Sequence, residues 1–350
     1  MLRLPIRTLS RNAWLTLLLL ASSAAAALAQ PGWLPGFHQL GLTGSVTATL
    51  RQPNGDLIVG GDFTNVGGQP NADFVVRWDG RHWQALGEGP GAFTTVTALC
   101  ALPAGGLEAA GIVEDKGTSQ SIVTRWDGHH WQPLGSGWPQ SQVNALTIAP
   151  NGDLLAGFPF GSGSPCEVLR WDGQHWLPLA PTPATNTAPA TRQVSIWNLV
   201  VTATGELVAR GYFPYETHEI QTAARWTGTA WQPLGPANVH RSAVALALTP
   251  RGEVLAGGQL FDAHGNNSDY VARWDGRAWQ ELGPGLKGRV ETLEVTPTGE
   301  IQATTTTYSN DILTRPTLLE QWNGTSWQVV DWRAYHAANP SLSSRQYWGG

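Results

Sequence analysis

One eleven-residue pattern recurs six times along the chain and constrains its fold more than any other feature. The first copy occupies residues 77–87 and reads Arg-Trp-Asp-Gly-Arg-His-Trp-Gln-Ala-Leu-Gly. The later copies begin at Arg125, Arg170, Arg225, Arg273 and Gln321. Each copy has two tryptophans five residues apart, and successive first tryptophans are separated by 48, 45, 55, 48 and 48 residues. Self-similarity at a period of roughly 40–50 residues is typical of β-propellers and solenoids.

Each repeat contains four short segments with the character of strands. An apolar stretch such as Val46–Leu50 comes first, and a turn follows that usually reads Pro-x-Gly and then an acidic residue. Gly supplies the positive φ that a tight hairpin needs. A second stretch ends in glycines such as Gly60-Gly61, a third leads into the Trp-Asp-Gly turn, and a fourth runs from the second Trp to Leu-Gly. Four strands without a helical pattern predict one propeller blade.

The six repeats therefore predict an all-β chain, a six-bladed β-propeller of four-stranded antiparallel blades. The repeats span residues 46–331 and divide at about 46–95, 96–142, 143–193, 194–242, 243–289 and 290–331. Residues 30–45 form a lead-in, in which Phe37–Gly41 resembles the end of a repeat and predicts an extra strand. Residues 332–350 form a tail without the pattern. We expect the N-terminal strand or the tail to pack near the ring closure; a seventh blade is the alternative.

The recurring tryptophans are predicted to be structural. Two of them flank a short turn, so they lie on adjacent strands, where they can pair and fill the wedge between neighbouring blades. Positions at one radius around a disc fit packing better than a stacking site for sugars. These residues are Trp78, Trp83, Trp126, Trp131, Trp171, Trp176, Trp226, Trp231, Trp274, Trp279, Trp322 and Trp327. The Arg before the first Trp could stack on the indole or reach a carboxylate, and both possibilities stay open.

An apolar strand, Gly-Gly, an aromatic-Asp turn and Trp-x-x-Leu together resemble the kelch repeat. The turn at residues 78–83 is similar to a shortened form of the kelch turn, which carries Tyr-Asp-Pro and a more distant Trp. The chain also resembles secreted bacterial propellers with Gly-Gly-x-Phe and Arg-Trp-Asp-Gly repeats, over Val46 to about Asp331. The resemblance implies a propeller. Kelch-type propellers serve as binding platforms and as copper oxidases, so it implies no single function.

The N-terminus predicts export. Three arginines precede an apolar segment around Leu17–Leu20, and Ala27-Leu28-Ala29 forms a small-residue cleavage site, so residues 1–29 are interpreted as a signal peptide. We expect a secreted or cell-surface protein, periplasmic or extracellular, with no transmembrane segment in the mature chain. Without those arginines, 18 basic residues face 26 acidic ones, a net charge of −8 (21 − 3 = 18; 18 − 26 = −8). That balance argues against nucleic acid as a partner.

The sequence contains no convincing catalytic constellation, and we expect no metal or other cofactor. His82, His130 and His175 occupy equivalent turns of successive repeats, which diverge around a disc and cannot converge on one ion. A copper oxidase site could be assembled from Tyr215, His218 and His240, but no matching Cys is evident. Cys100 and Cys166 could pair after export, although their different places in the repeat favour two separate core residues.

Function is better sought in the segments that vary between repeats. The connections between second and third strands, and between blades, share one face of a propeller, and such loops carry binding on a rigid scaffold. The candidate contact residues are Trp138, Tyr215, His218, His240, Arg241, Asp262 and His264. They predict a monomeric, non-enzymatic scaffold that binds an extracellular protein or glycan. The alternatives are an extracellular carbohydrate-active enzyme, an oxidase or lyase, and a structural cell-surface component.

Overall fold

The computed structural model describes residues 44–52, 54–87, 93–102, 105–135, 142–159, 168–179, 194–215, 218–235, 240–261, 267–296, 299–307 and 317–330. Within them lie 24 strands and a single 3₁₀ turn, Val66–Gly68. The predicted signal peptide, the predicted lead-in strand Phe37–Gly41, the tail and Cys166 all lie outside the described residues. Among the helices described, none is long and apolar enough to cross a membrane.

The strands form six separate sheets of four. Blades 1 to 3 are β1 (Val46–Arg51), β2 (Leu57–Gly61), β3 (Val75–Trp78), β4 (Trp83–Ala85), β5 (Phe93–Ala101), β6 (Leu107–Asp115), β7 (Thr118–Trp126), β8 (Trp131–Pro133), β9 (Ala145–Ile148), β10 (Leu154–Gly157), β11 (Val168–Trp171) and β12 (Trp176–Pro178). Blades 4 to 6 are β13 (Ser195–Val201), β14 (Leu207–Tyr215), β15 (His218–Trp226), β16 (Trp231–Pro233), β17 (His240–Leu248), β18 (Val254–Phe261), β19 (Asn267–Trp274), β20 (Trp279–Glu281), β21 (Gly288–Val295), β22 (Ile301–Thr307), β23 (Thr317–Trp322) and β24 (Trp327–Val329).

Each sheet is an antiparallel meander whose strands pair in chain order, and the six sheets form a ring. First strands of consecutive blades contact one another, as β1 with β5 and β17 with β21, which places them next to the ring axis. The predicted six-bladed β-propeller is thereby confirmed.

Buried side chains join consecutive blades at five junctions. Because side chains alternate across a strand, blades 2 to 5 each bury one face against the preceding blade and the other against the next. Ile58 and Val75 of blade 1, for example, pack with Val96 and Trp131 of blade 2. The other four clusters join blades 2 and 3, 3 and 4, 4 and 5, and 5 and 6.

Blade 1 covers its other face with its own residues. Val59 and Trp83 there are buried with Phe63, Val66 and Ala72 from the segment that connects β2 to β3. That segment contains the 3₁₀ turn, which folds back over the sheet. Val46 is 45% exposed. The residues at its register position in the other blades are fully buried, among them Val96, Ile196 and Val290.

The paired glycines of the second strands serve two different contacts. A Cβ on Gly60 would lie 2.7 Å from Val96 Cγ1 of the next blade, so this glycine admits the neighbour's valine. A Cβ on Gly61 would lie 2.0 Å from the carbonyl oxygen of Ser45, at the β-bulge between Val46 and Ala48. The first glycine therefore sets the distance between blades, and the second lets the chain bend at the inner strand.

The repeated Trp-x-x-Leu-Gly sequence links blades 2, 3, 5 and 6 to the blade before each of them. Trp131 Nε1 donates a hydrogen bond to the carbonyl oxygen of Leu86, 2.7 Å away in blade 1. A Cβ on Gly87 would lie 3.3 Å from the ring of Trp126, so this glycine is seated against the first Trp of blade 2. The Trp-to-Leu bond recurs at 2.7–2.8 Å from Trp176, Trp279 and Trp327. At these junctions the second Trp of one blade lies against the outer strand of the blade before it.

The Arg that precedes each first Trp reaches a carboxylate, which decides between the two possibilities left by the sequence. Arg170 lies 2.7 Å from Asp153, and the other pairs are Arg77–Asp56, Arg225–Glu206 and Arg273–Glu253. In blade 2 the acid has moved two residues along the chain, to the fully buried Glu108, 2.6 Å from Arg125. The acidic residue after the inner turn is therefore a partner for this arginine.

Burial around Glu108 also sets the chemistry of Cys100, which lies opposite it on β5. Desolvation raises the pKa of Glu108, while its hydrogen bond and charge interaction with Arg125 oppose the rise. Desolvation, together with the nearby Glu108 carboxylate, raises the pKa of Cys100 to about 12. The thiol is therefore protonated at neutral pH and is a core residue with low reactivity.

In four of the six outer turns an Asp side chain stabilises the turn. Asp127 accepts hydrogen bonds from the backbone N–H groups of His129 and His130 at 2.8 and 2.7 Å. These bonds lower the pKa of Asp127 from 3.8 to about 2. The same pair of backbone bonds lowers the pKa of Asp79, Asp172 and Asp275.

These four turns should make the propeller acid-sensitive. A carboxyl group whose pKa is depressed in the folded state stabilises it above the unfolded pKa, here 3.8, and this contribution is lost as the pH falls towards about 2. We expect Asp→Asn at all four positions to reduce the drop in urea midpoint between neutral pH and about pH 2.5. Asn323 already accepts the same two backbone bonds at 2.9 Å, so the variant should fold. An unchanged drop would contradict this role of the turns.

Candidate functional site

The structure describes four of the seven predicted contact residues, all in strands. Tyr215 ends β14 and His218 begins β15, directly opposite each other at the hairpin. His240 and Arg241 open β17. Trp138, Asp262 and His264 lie outside the described residues.

The expectation that the candidate contact residues lie in loops between strands is partly wrong. β14 and β15 pair up to Tyr215 and His218, β17 begins at His240, and β19 begins at Asn267. These segments carry too many polar residues to be predicted as strands. A β ladder is held by backbone hydrogen bonds, however, and at the end of a blade it needs no apolar face.

Blade 4 breaks the repeat at the level just below this hairpin. Register places Arg210 opposite Asn198, where blades 1, 3 and 5 have a glycine opposite an alanine. In the other blades this position is occupied by Gly60, Ala110, Gly157, Gly257 and Thr304. Blade 4 thus has a long cationic side chain where the fold elsewhere accommodates a small residue.

Blade 5 changes at the matching position. In three junctions a β-branched side chain packs on the glycine: Val96 on Gly60, Ile196 on Gly157 and Val290 on Gly257. Each of these side chains lies within 2.9 Å of the place that a Cβ on the glycine would occupy. The corresponding residue of blade 5, by register, is the buried Ala243. The smaller alanine leaves room for Arg210, so the two replacements are complementary.

A third replacement removes, in blade 4, a hydrogen bond that links the inner strands of neighbouring blades elsewhere. Thr97, at the bulge of blade 2, donates its Oγ1 hydrogen to the carbonyl of Val143 in blade 3 at 2.6 Å, and Thr47 bonds Val96 in the same way. In blade 4 the bulge residue is Trp197. In blade 5 the carbonyl of Ala243, which corresponds to that of Val143 in blade 3, instead accepts a hydrogen bond of 3.2 Å from Gln221 Nε2. Trp197 is therefore not needed to tie blade 4 to blade 5.

The replaced residues form one cluster at the inner part of blade 4. The Arg210 guanidinium carbon lies 5.1 Å from the centre of the Trp197 ring, a cation–π distance. Trp197 meets Tyr212 edge to face, with ring centres 5.0 Å apart. Tyr212 is 38% exposed, whereas Trp197 and Arg210 are half-buried. We call Trp197, Asn198, Arg210 and Tyr212 the blade 4 cluster.

The blade 4 cluster holds a positive charge without a compensating carboxylate among the described residues. Each repeat arginine at the outer strands has an acidic partner. Among the described side chains Arg210 contacts the Trp197 ring, its Nε is buried without a hydrogen-bond acceptor there, and Asn198 Oδ1 is buried without a donor. Burial lowers the pKa of Arg210 to about 10, so the side chain stays charged at neutral pH.

The histidines of the outer turns do not converge in the described part of the chain. His82 is exposed and lies 3.9 Å from Asp79 of its own turn. The described residues contain no group of three or more His, Cys, Asp and Glu that could hold a metal ion.

Sequence reasoning missed the blade 4 cluster because it searched the variable segments and set the repeats aside. The signal was nonetheless present. The stretch Ile196–Leu199 reads Ile-Trp-Asn-Leu where the second repeat has Val-Thr-Ala-Leu, and Arg210 precedes Gly211 where the first repeat has Gly-Gly. Departures from the repeat at buried positions identify the cluster.

The comparisons with known proteins bear on the fold alone. No protein-family model matches the chain, and no curated protein matches it. The kelch resemblance is therefore not confirmed. Virginiamycin B lyase from Staphylococcus aureus superposes with a TM-score of 0.52 and 11% identity, over 82% of this chain and 84% of the lyase.

Two further similar structures fall below a TM-score of 0.5. A gluconolactonase from Xanthomonas campestris has a TM-score of 0.42 and 12% identity, over 70% of this chain and 77% of that one. YCF48 bound to D1 peptide has a TM-score of 0.44 and 15% identity, over 69% and 70%. The fold defines this chain as a six-bladed β-propeller. Enzymes and binding proteins share propeller folds, so the class leaves its function open.

Proposed function

We propose that the chain is an exported, non-enzymatic propeller that binds a protein or a glycan. The binding face is the end of the disc formed by the β14–β15 hairpin and the start of β17. The observation that supports this most is the blade 4 cluster, in which Arg210 and Trp197 stand where blade 1 has a glycine and a threonine and Tyr212 packs on the Trp197 ring. The cluster lies three residues below the hairpin tip, since Tyr212 is on the same strand as Tyr215.

The energetics of Arg210 favour binding over a purely structural role. A buried charge without a partner costs folding free energy, and residues that break the local pattern at such a cost are typical of functional sites. A packing role alone would be met by the glycine and valine found at three other junctions. The cost is removed when a ligand supplies the missing negative charge.

Export is part of the proposal and rests on the sequence of residues 1–29, whose basic, apolar and small-residue regions have the order of a signal peptide. A protein outside the cell would meet polysaccharides and surface proteins as available partners. The predicted net charge of −8 for the mature chain makes nucleic acid and anionic membranes poor partners.

Binding by the mature chain, residues 30–350, to a glycan array and to purified cell-surface proteins tests the proposed face. We expect Ala replacement of Trp138, Tyr215 and His240 to weaken binding by at least about tenfold, because contact residues on one face carry most of the binding energy. The matched control replaces Arg51, Asn151 and Arg251, which are exposed at the opposite ends of the strands. Equal binding by both triple variants would reject this face.

Metal analysis of the purified mature chain separates binding from the enzymatic alternative. Stoichiometric copper or another transition metal would contradict a binding-only protein and favour the carbohydrate oxidase. Self-association without any soluble ligand would favour the structural cell-surface component instead.

A further inference from the structure

We infer that the blade 4 cluster binds the carboxylate of an acidic saccharide, with Arg210 pairing with the carboxylate and the aromatic rings packing against the sugar. This inference rests on the proposed function, because it names the ligand class for the same end of the propeller.

The charge of Arg210 identifies the ligand group. A guanidinium presents several N–H donors in a planar fork that matches a carboxylate in two parallel hydrogen bonds. Arg210 is half-buried, has one face on Trp197 and keeps its Nε without a hydrogen-bond acceptor. A carboxylate bound from the solvent side would pair with the terminal N–H groups of the guanidinium and neutralise the charge where water is partly excluded.

Three coordinated replacements indicate that the site is built into the fold. Arg210 replaces a glycine, Ala243 replaces the β-branched residue that packs on it, and Trp197 replaces a threonine that links blades. Gln221 supplies the link in its place. A valine in place of Ala243, as at the corresponding position Val96, would leave no room across the junction for the side chain of Arg210.

The aromatic surroundings favour a saccharide over a peptide. Tyr212 exposes a ring beside the cation, and Asn198 adds an amide whose oxygen has no donor. A peptide that adds to a sheet needs an unpaired strand edge. β14, which carries Arg210 and Tyr212, is paired on both sides by β13 and β15, so a peptide cannot add to that strand.

The net charge of the chain also indicates which acidic saccharides are favoured as ligands. A mature chain of net charge −8 repels polyanions at long range. The favoured ligands are therefore uronic acid units with one carboxylate each, and polysulfated chains are disfavoured.

The decisive variant restores the repeat in blade 4. Arg210→Gly combined with Ala243→Val re-creates the pairing of Gly60 with Val96 and removes the buried charge. We expect this double variant to melt no lower than the wild type, because a packed apolar contact replaces an uncompensated cation. A merely structural Arg210 would instead give a lower melting temperature.

Isothermal titration calorimetry on the mature chain measures binding, with glucuronate- and galacturonate-containing oligosaccharides as probes and their methyl esters as controls. We expect the acids to bind, the esters to bind at least about tenfold more weakly, and the R210G/A243V variant to lose the preference for the acid. Arg210→Lys keeps the charge but loses the fork, so it should retain only part of the preference.

The outcomes separate this inference from the proposed function. Binding of neutral glycans or proteins that R210G/A243V leaves intact would overturn the acidic-saccharide site while the binding propeller stands. Capture of a peptide with a free C-terminal carboxylate, but not of its amide, would also overturn it. Failure of the uronic acid probes to bind the wild-type chain would overturn it outright.

Discussion

Trp131→Ala should lower the free energy of unfolding of the propeller by about 3–5 kcal/mol. The side chain is 4% exposed and fills the junction between blades 1 and 2. Its ring meets Phe93 edge to face, with centres 6.5 Å apart, and lies 5.2 Å from the Trp126 ring. The exchange removes these contacts, leaves a cavity, and strands the carbonyl of Leu86 without its donor.

Trp131→Phe separates the hydrogen bond from the packing. It keeps most of the ring but removes the Nε1 donor, and we expect a loss of about 1–3 kcal/mol in urea denaturation followed by circular dichroism. The control is Trp126→Phe in the same blade, where the half-buried ring gives up area without breaking a Trp-to-Leu bond of the described junctions. Equal losses in the two Phe variants would show that the interblade bond contributes nothing.

Gly211→Ala is expected to lower the free energy of unfolding by about 3–5 kcal/mol, although it adds a single methyl group. A Cβ at this position would lie 1.7 Å from the carbonyl oxygen of Ser195, and 2.8 Å from the carbonyl carbon. Both are backbone atoms of β13 beside the bulge at Ile196–Asn198, so no side-chain rotation can relieve the overlap. The inner strand itself must move.

Gly228→Ala provides the comparison, since it tests conformation without overlap. Gly228 has a φ of 95° in the outer turn of the same blade, and nothing lies within 4 Å of its built Cβ. Only backbone strain should appear there, about 1–2 kcal/mol. Thermal and urea unfolding of both variants measures the difference. A Gly211→Ala protein as stable as Gly228→Ala would mean that the bulge of blade 4 is free to adjust.

The blades could be predicted from the sequence because each one is written out in local patterns. The Asp-Gly and Pro-x-Gly turns fix two of the three hairpins in a blade, and the alternating apolar residues fix which face is buried. The identity of the partner residues could not be predicted, since they meet across blades. The hydrogen bond from Trp131 to Leu86 joins residues 45 apart, and no local pattern in either copy of the repeat predicts it.

The candidate site, unlike the blades, could not be predicted from local sequence patterns. The hairpin end that carries Tyr215 and His218 was predicted as a loop face, and the structure gives it strands. The blade 4 cluster was not predicted at all. Its meaning depends on the register that sets Arg210 at the position of Gly60 and places Ala243 across the junction. A one-residue shift of register would move Arg210 to the other face of the sheet, so the cluster becomes visible only after pairing is known.

The direction of the interblade hydrogen bonds has a consequence for how the protein is made. At each described Trp-to-Leu bond the acceptor lies in the earlier blade: Leu86 before Trp131, and Leu282 before Trp327. Chains fold from the N-terminus as they leave the ribosome. Every new blade therefore finds its docking surface already synthesised.

Blade 1 has no earlier blade to dock on, and it is the blade whose face is covered by its own Phe63 and Val66. Terminal repeats of arrays need such a cover to stay soluble. The first blade can thus bury its apolar face before the remaining five have docked, and it gives each partly folded intermediate a covered end rather than an exposed sheet. Growth of the ring becomes an ordered addition of blades, in the sequence in which they are synthesised.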